Sequence, residues 1–70
     1  MTAIESDQYQ RAAAAIRSAL APGRHLRPTA LLEAANREGG GPLEVLQTAF
    51  QIMLGRGEVQ LDNDLLAVLP

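Results

Sequence analysis

The side chains best suited to catalysis or metal binding are few, and their spacing does not assemble a reactive site. His25 is the only imidazole, and the chain has no cysteine. Neither a serine–histidine–aspartate triad nor a cysteine–histidine pair is therefore indicated, and a zinc site is not indicated either. We expect a protein that is not an enzyme, with no catalytic residue, no metal and no cofactor.

Two short motifs have partial likenesses to ligand sites. Residues 62–64, Asp-Asn-Asp, match the start of a calcium loop, but its glycine and distal glutamate are missing. These residues instead predict a turn, because Asp and Asn tolerate left-handed backbone. Residues 39–41 are three glycines that could turn backbone N–H groups toward an anion, yet the Lys-Ser/Thr ending of a phosphate loop is absent. They favour a helix end with a loose turn, and no small-molecule substrate is indicated.

Size and charge narrow the class of protein. A chain of 70 residues that is 47% hydrophobic and 20% charged predicts one globular domain. With no disulfide or metal, oligomerisation or docking on a partner is the remaining way to add stability to so small a core. A net charge of −2 gives no overall attraction to nucleic acid. No apolar run approaches the roughly 20 residues of a membrane span, and no signal peptide is evident, so we expect a cytoplasmic protein without a membrane.

Apolar residues recur at helical spacing in three segments, which predict helices over about 3–20, 28–38 and 42–54. Thr2 with Glu5 has capping-box spacing, and Ser6 is a second candidate cap. Pro28 and Pro42 suit first-turn positions of the second and third helices. Three segments predict the helix ends: residues 21–23 (Ala-Pro-Gly), 39–41 and 55–57 (Gly-Arg-Gly).

After the third helix the hydrophobic period changes from 3.6 to 2. Residues 58–62 alternate polar and apolar, residues 62–64 predict a turn, and residues 65–69 are a short apolar run, which together predict a hairpin over about 58–69. Leu26 is the one apolar anchor of the connector 24–27 and predicts a short extended segment there. The expected core comprises Tyr9, Ala13, Ile16, Leu20, Leu26, Leu31, Leu32, Ala35, Leu46, Phe50, Met53, Val59, Leu61 and Val68.

The order helix, extended connector, helix, turn, helix, hairpin resembles the winged-helix (winged helix-turn-helix) superfamily. The stretch 54–61 (Leu-Gly-Arg-Gly-Glu-Val-Gln-Leu), followed by a turn and by residues 66–69 (Leu-Ala-Val-Leu), is similar to the way such domains leave the third helix and enter the wing. The resemblance implies one domain over 1–70, mainly α with a small β-hairpin: a three-helix core plus a C-terminal two-stranded wing. In this superfamily the third helix commonly enters the major groove of DNA, whereas many members bind proteins or dimerise.

The exposed faces must decide between these functions. Val45 and Ile52 are one heptad apart on the face of the third helix opposite Phe50, with Thr48 between them. An apolar pair on the surface of a small domain favours a protein interface, which the N-terminal Ile4 could extend. We expect a non-catalytic protein-interaction or self-association module, such as a homodimer, with Val45, Thr48 and Ile52 in the interface. The alternative that the hairpin or the N-terminus covers Val45 and Ile52 stays open.

DNA binding is the second hypothesis for the same fold. It would combine polar base readers on the third helix with the few nearby cations. Asp62 and Asp64 at the hairpin tip, Glu44 on the helix and the net charge all disfavour it, because like charges repel the phosphate backbone. The residues that would serve this alternative are Arg24, Arg27, Gln47, Thr48, Gln51 and Arg56.

Overall fold

The chain folds as three helices followed by a small antiparallel hairpin in a computed structural model that describes residues 6–21 and 23–70. The predicted class, mainly α with a small β-hairpin, is confirmed. Predictions for Thr2, Ile4, Glu5 and Pro22 lie outside the described residues. The elements are α1 (Ser6–Ala19), α2 (Pro28–Arg37), α3 (Leu43–Arg56), β1 (Gln60–Leu61) and β2 (Ala67–Val68).

Helix α1 packs through a face made mostly of alanine. Ala12, Ala13 and Ala15 are buried beside Ile16 and Ala19, and α1 contacts both α2 and α3. Alanine leaves room for the neighbouring backbone to come close, so the aliphatic side chains of α2 and α3 fill the remaining space. The predicted core contained Ala13 and Ala35 but omitted five alanines that the structure buries: Ala12, Ala15, Ala19, Ala49 and Ala67.

Helix α2 begins at Pro28, as predicted, because a proline at this position costs no hydrogen bond. At its other end the N–H of Gly40 donates to the carbonyl of Ala35 at 2.9 Å, which turns the chain back against α1. Gly40 is buried there. A Cβ at Gly40 would lie 2.6 Å from the Cβ of Ala15 and 3.0 Å from the Ala35 carbonyl oxygen. The α2–α3 loop therefore requires glycine at this position.

Helix α3 differs from its prediction at both ends. Pro42 is the N-cap residue, with an extended backbone, and not the first helical residue. The helix continues through Gly55 and Arg56, beyond the predicted end near residue 54. Gly57 ends it, because its left-handed backbone (φ 76°) allows the N–H of Glu58 to donate to the Met53 carbonyl at 2.9 Å. Gly55 adopts helical backbone, so the helix tolerates it as an interior residue.

The hairpin is shorter than the predicted span 58–69. Strand β1 pairs with β2 in the register Gln60 opposite Val68 and Leu61 opposite Ala67. Leu65, predicted to open the second strand, has φ 62° and is 68% exposed, so it belongs to the turn. The cause is Asp62, whose Oδ1 accepts the N–H groups of Asp64 and Leu66 at 2.8 and 2.9 Å and so lengthens the turn.

The extended segment predicted at Leu26 is present as a single bridge to β2. The N–H of Leu26 donates to the Ala67 carbonyl at 3.2 Å, and the N–H of Ala67 donates to the Leu26 carbonyl at 2.6 Å. Ala67 thus lies between Leu26 on one side and Leu61 on the other. This bridge fastens the α1–α2 connector to the hairpin.

Most of the predicted core is confirmed, and one residue of it is wrong. Nine of the expected side chains are buried, and Tyr9, Leu26, Leu32 and Val68 are half-buried. Leu61 is 42% exposed. It lies opposite the buried Ala67 and so points to the same side of the hairpin, but it is on the outer strand, with a neighbouring strand on one side only. The nine buried side chains are Ala13, Ile16, Leu20, Leu31, Ala35, Leu46, Phe50, Met53 and Val59.

We predict opposite effects for the same substitution at two glycines. Gly40→Ala should lower the free energy of unfolding by about 1–3 kcal/mol, because the new methyl group overlaps Ala15 and the Ala35 carbonyl. Gly55→Ala should raise it by about 1 kcal/mol, since Gly55 is inside α3 with open space around it. Urea unfolding followed by circular dichroism measures both. Equal effects of the two substitutions would contradict the close contact at Gly40.

Candidate functional site

The outer face of α3 is nearly uncharged. Glu44, Thr48 and Gln51 are exposed along it, and Gln47 is exposed beside them. The Thr48 hydroxyl donates to the Glu44 carbonyl at 3.0 Å, so its polar group is satisfied within the helix. Glu44 is the only charged residue between positions 43 and 55. Leu43, whose spacing predicts a place on the core stripe of this helix, is instead 52% exposed at the start of the helix.

Val45 and Ile52 are both half-buried, less open than a free interface pair would be. Val45 packs against the buried core, so part of its surface is covered within the protein. Thr48 is exposed between them, three residues after Val45 and four before Ile52. We refer to Val45, Thr48 and Ile52 together as the α3 patch. Its centre is accessible, and its two apolar ends are accessible in part.

Arg56, the one cation of α3, is engaged inside the protein. Its Nε lies 3.4 Å from Oε2 of Glu58, and its guanidinium carbon lies 5.8 Å from the centre of the Tyr9 ring. It also lies at hydrogen-bonding distance, 3.5 Å, from the Tyr9 hydroxyl. A residue held by a carboxylate and an aromatic ring is less free to contact phosphate. Arg56 therefore has partners within the protein, although its side chain is 62% exposed.

Glu58 is the centre of a polar cluster formed with Tyr9, Arg17 and Arg56, which we call the Glu58 cluster. The Arg17 guanidinium donates to Oε1 at 2.6 Å, and the Tyr9 hydroxyl donates to Oε2 at 3.3 Å. The Arg17 bond, assisted by Tyr9 and by the charge of Arg56, lowers the pKa of Glu58 below its ordinary 4.5, although partial burial opposes this. The cluster fastens α1 to the start of the hairpin. Sequence reasoning placed Tyr9 in the core and had no signal for the cluster, because its members are up to 49 residues apart.

Asp62 organises the hairpin turn and also holds the α1–α2 connector. Its Oδ1 accepts the two turn N–H groups, and its Oδ2 lies 2.8 Å from Nδ1 of His25. The Leu66 N–H bond, followed by the His25 contact, lowers the pKa of Asp62 below its ordinary 3.8. Asp62 is thus used within the protein. Over residues 6–21 and 23–70 no group of three His, Cys, Asp or Glu side chains could hold a metal ion.

The remaining cations proposed for nucleic acid, Arg24 and Arg27, lie on the connector and not on α3. Both are exposed, and neither forms an ion pair with another described residue. The structure brings Gln47, Thr48 and Gln51 together on one helix. The proposed base readers and the proposed phosphate contacts therefore come from different elements.

A shallow depression between α1 and the α2–α3 loop is lined by Arg11, Ser18 and Glu38 together with alanines and glycines. It is wide open to solvent. Ligand sites are usually enclosed apolar clefts with a few convergent polar groups. This depression therefore gives no support to a small-molecule site.

No protein family, curated protein or solved structure matches this chain. Within the part of the chain that the structure describes, no helix is both long and apolar enough to cross a membrane. The assignment of a function therefore depends on the geometry and charge of the surfaces described above.

We predict that acid weakens the fold through Glu58. Its pKa is lower in the folded than in the unfolded chain, so its contribution to stability is complete above about pH 4.5 and is lost as the pH falls through the folded value. Glu58→Gln should therefore lower stability near neutral pH and make the acid side of the stability–pH profile flatter. Urea unfolding at a series of pH values from neutral to acid measures this.

Glu33→Gln is the matched control, because Glu33 is exposed on α2 and forms no ion pair with any described residue. It should leave the shape of the profile unchanged. A Glu58→Gln profile that runs parallel to that of the unsubstituted protein through the acid range would rule out the proposed role of the Glu58 cluster.

Proposed function

We propose that this chain is a non-catalytic protein-interaction module of winged-helix type that docks a protein through the α3 patch, in the first instance a second copy of itself. The winged-helix assignment is supported by the order of the elements and by Leu26, which pairs with β2 from the side opposite β1. A connector strand of this kind is what the resemblance implied. A cytoplasmic setting belongs to the same proposal, and the absence of cysteine fits it.

The observation that carries the proposal is the lack of a free cation on the outer face of α3. A helix that enters the major groove needs donors for bases and positive charge for the flanking phosphates. Here Glu44 is the only charge along the face, and Arg56 is held by Glu58 and Tyr9. The acidic hairpin tip would add repulsion where a DNA-binding wing makes backbone contacts.

The α3 patch also has features that favour a protein partner. Docking would remove water from the exposed parts of Val45 and Ile52, which stabilises a complex in proportion to the apolar area buried. Burying Thr48 would leave no hydroxyl donor unsatisfied, because its O–H already bonds the Glu44 carbonyl. A neutral patch on one helix can meet its own copy around a two-fold axis without like-charge repulsion.

We predict that a charge at the centre of the patch abolishes self-association. The molar mass of the unsubstituted protein, measured by light scattering over a concentration series, should rise from 7.5 kDa toward twice that value. Thr48→Glu should keep it at 7.5 kDa, because two carboxylates would be buried face to face. Thr29→Glu, the same change at an exposed site on α2, should behave like the unsubstituted protein. If the unsubstituted protein keeps the monomer mass at every concentration, the proposed homodimer is ruled out.

The DNA alternative is supported by the exposure of Gln47, Thr48 and Gln51 on α3 and of Arg24 and Arg27 on the connector. We predict no saturable binding when a labelled random duplex is titrated at low salt and followed by fluorescence anisotropy. The double variant Gln47→Arg/Gln51→Arg is the positive control, since it supplies the missing cations and should bind. Binding by the unsubstituted protein that is lost in Arg24→Ala/Arg27→Ala would favour the alternative instead.

A further inference from the structure

Strand β1 is the outer strand of the hairpin, and its register fixes which backbone groups face outward. Ala67 uses its N–H and C=O to bond Leu26 on the far side of β2. Antiparallel pairs alternate between bonded and non-bonded, so the pair Leu61–Ala67 is a non-bonded one. The N–H and C=O of Leu61 therefore point away from β2. No group within residues 6–21 and 23–70 forms a hydrogen bond with this N–H or this C=O.

The side chains around this free edge are unusually open for apolar residues. Leu61 is 42% exposed and Leu65, in the adjoining turn, is 68% exposed. An unpaired edge beside exposed leucines has the two components that an added strand uses: backbone hydrogen bonds and apolar contact. Nothing in the sequence of β1 blunts the edge, because it contains neither proline nor lysine.

The charges of the hairpin indicate which strand would fit. All charged residues from position 57 to position 70 are acidic: Glu58, Asp62 and Asp64. A second copy paired edge to edge with this one would bring the same acidic residues close to each other, and like charges at close range repel. Asp64 has no ion pair with any described residue. A partner strand with basic residues beside its apolar ones would be attracted by this carboxylate, whereas a second copy would be repelled.

We propose that the free edge of β1 binds an extended, basic segment of a partner protein as an added antiparallel strand, with Leu61 as its apolar contact. The inference rests on the protein-interaction function proposed above, but it uses a surface separate from the α3 patch. The partner segment would present an apolar side chain to Leu61 and Leu65, and a lysine or arginine to Asp64.

The test uses the full chain, labelled with ¹⁵N, and two short capped peptides that alternate valine with lysine or valine with glutamate. The lysine–valine peptide should shift the amide resonances of Val59 and Leu61 and slow the exchange of the Leu61 amide proton. The glutamate–valine peptide should bind at least about tenfold more weakly. Equal binding of the two peptides would overturn the basic specificity, and binding of neither would overturn the proposal.

Leu61→Pro tests the backbone bond directly, because it deletes the outward N–H and leaves the inward bonds of Gln60 in place. This substitution should lower the affinity for the lysine–valine peptide about tenfold, which is the effect of one lost hydrogen bond. The Leu61→Thr variant, which keeps the N–H, should bind the lysine–valine peptide more tightly than the Leu61→Pro variant does. An unchanged Ala67 amide shift reports an intact hairpin in each variant.

A second measurement leaves the protein unaltered. One lysine–valine peptide would be methylated on its valine nitrogens and another on its lysine nitrogens. Because only one edge of an added strand meets β1, one of these peptides should bind and the other should not. Indifference to methylation, or shifts confined to α3, would overturn the edge site. The Thr48→Glu experiment is independent of these, so loss of the edge proposal leaves the α3 patch to be judged by its own result.

Discussion

The close approach of α1 to the α2–α3 loop is the contact on which the rest of the fold depends. The chain has only one Phe and one Tyr, so it cannot fill a core with large rings and must bring its backbones together. Ala15 makes that approach on α1, and Gly40 completes it, because a side chain there would meet the Cβ of Ala15. Since the packing of protein interiors is dense, a small displacement at this point would spread through all three helices.

The hairpin is joined to this core by polar contacts as well as by the burial of Val59 and Ala67. The Glu58 cluster fastens α1 and the end of α3 to the chain two residues before β1. The His25–Asp62 contact and the Leu26–Ala67 bridge fasten the α1–α2 connector to the turn and to β2. Arg56, His25 and Asp62 therefore have partners within the protein. On the outer face of α3 and along the edge of β1, the exposed groups are mainly apolar, amide or hydroxyl in character, and this is why we propose protein partners for those two surfaces.

The sequence predicted the parts of the structure that depend on local patterns. The start of α2, the turn at residues 62–64 and the extended backbone at Leu26 all follow from residue type and spacing. Gly55 misled the prediction of the end of α3, because its helical cost of about 1 kcal/mol is offset by the full set of bonds that continue to Gly57. The Arg17–Glu58 ion pair and the exposure of Leu61 depend on tertiary arrangement, for which spacing along the chain carries no signal.

Ala67 has a consequence for how the hairpin can move. Its side chain is fully buried, and its backbone is bonded to the connector while its neighbours are bonded to β1. A slip of one position in either pairing would turn Val68 inward and Ala67 outward, since alternate residues of a strand face opposite ways. Sliding motions of the hairpin are thus opposed by the core packing around Ala67 and by its two hydrogen bonds to Leu26.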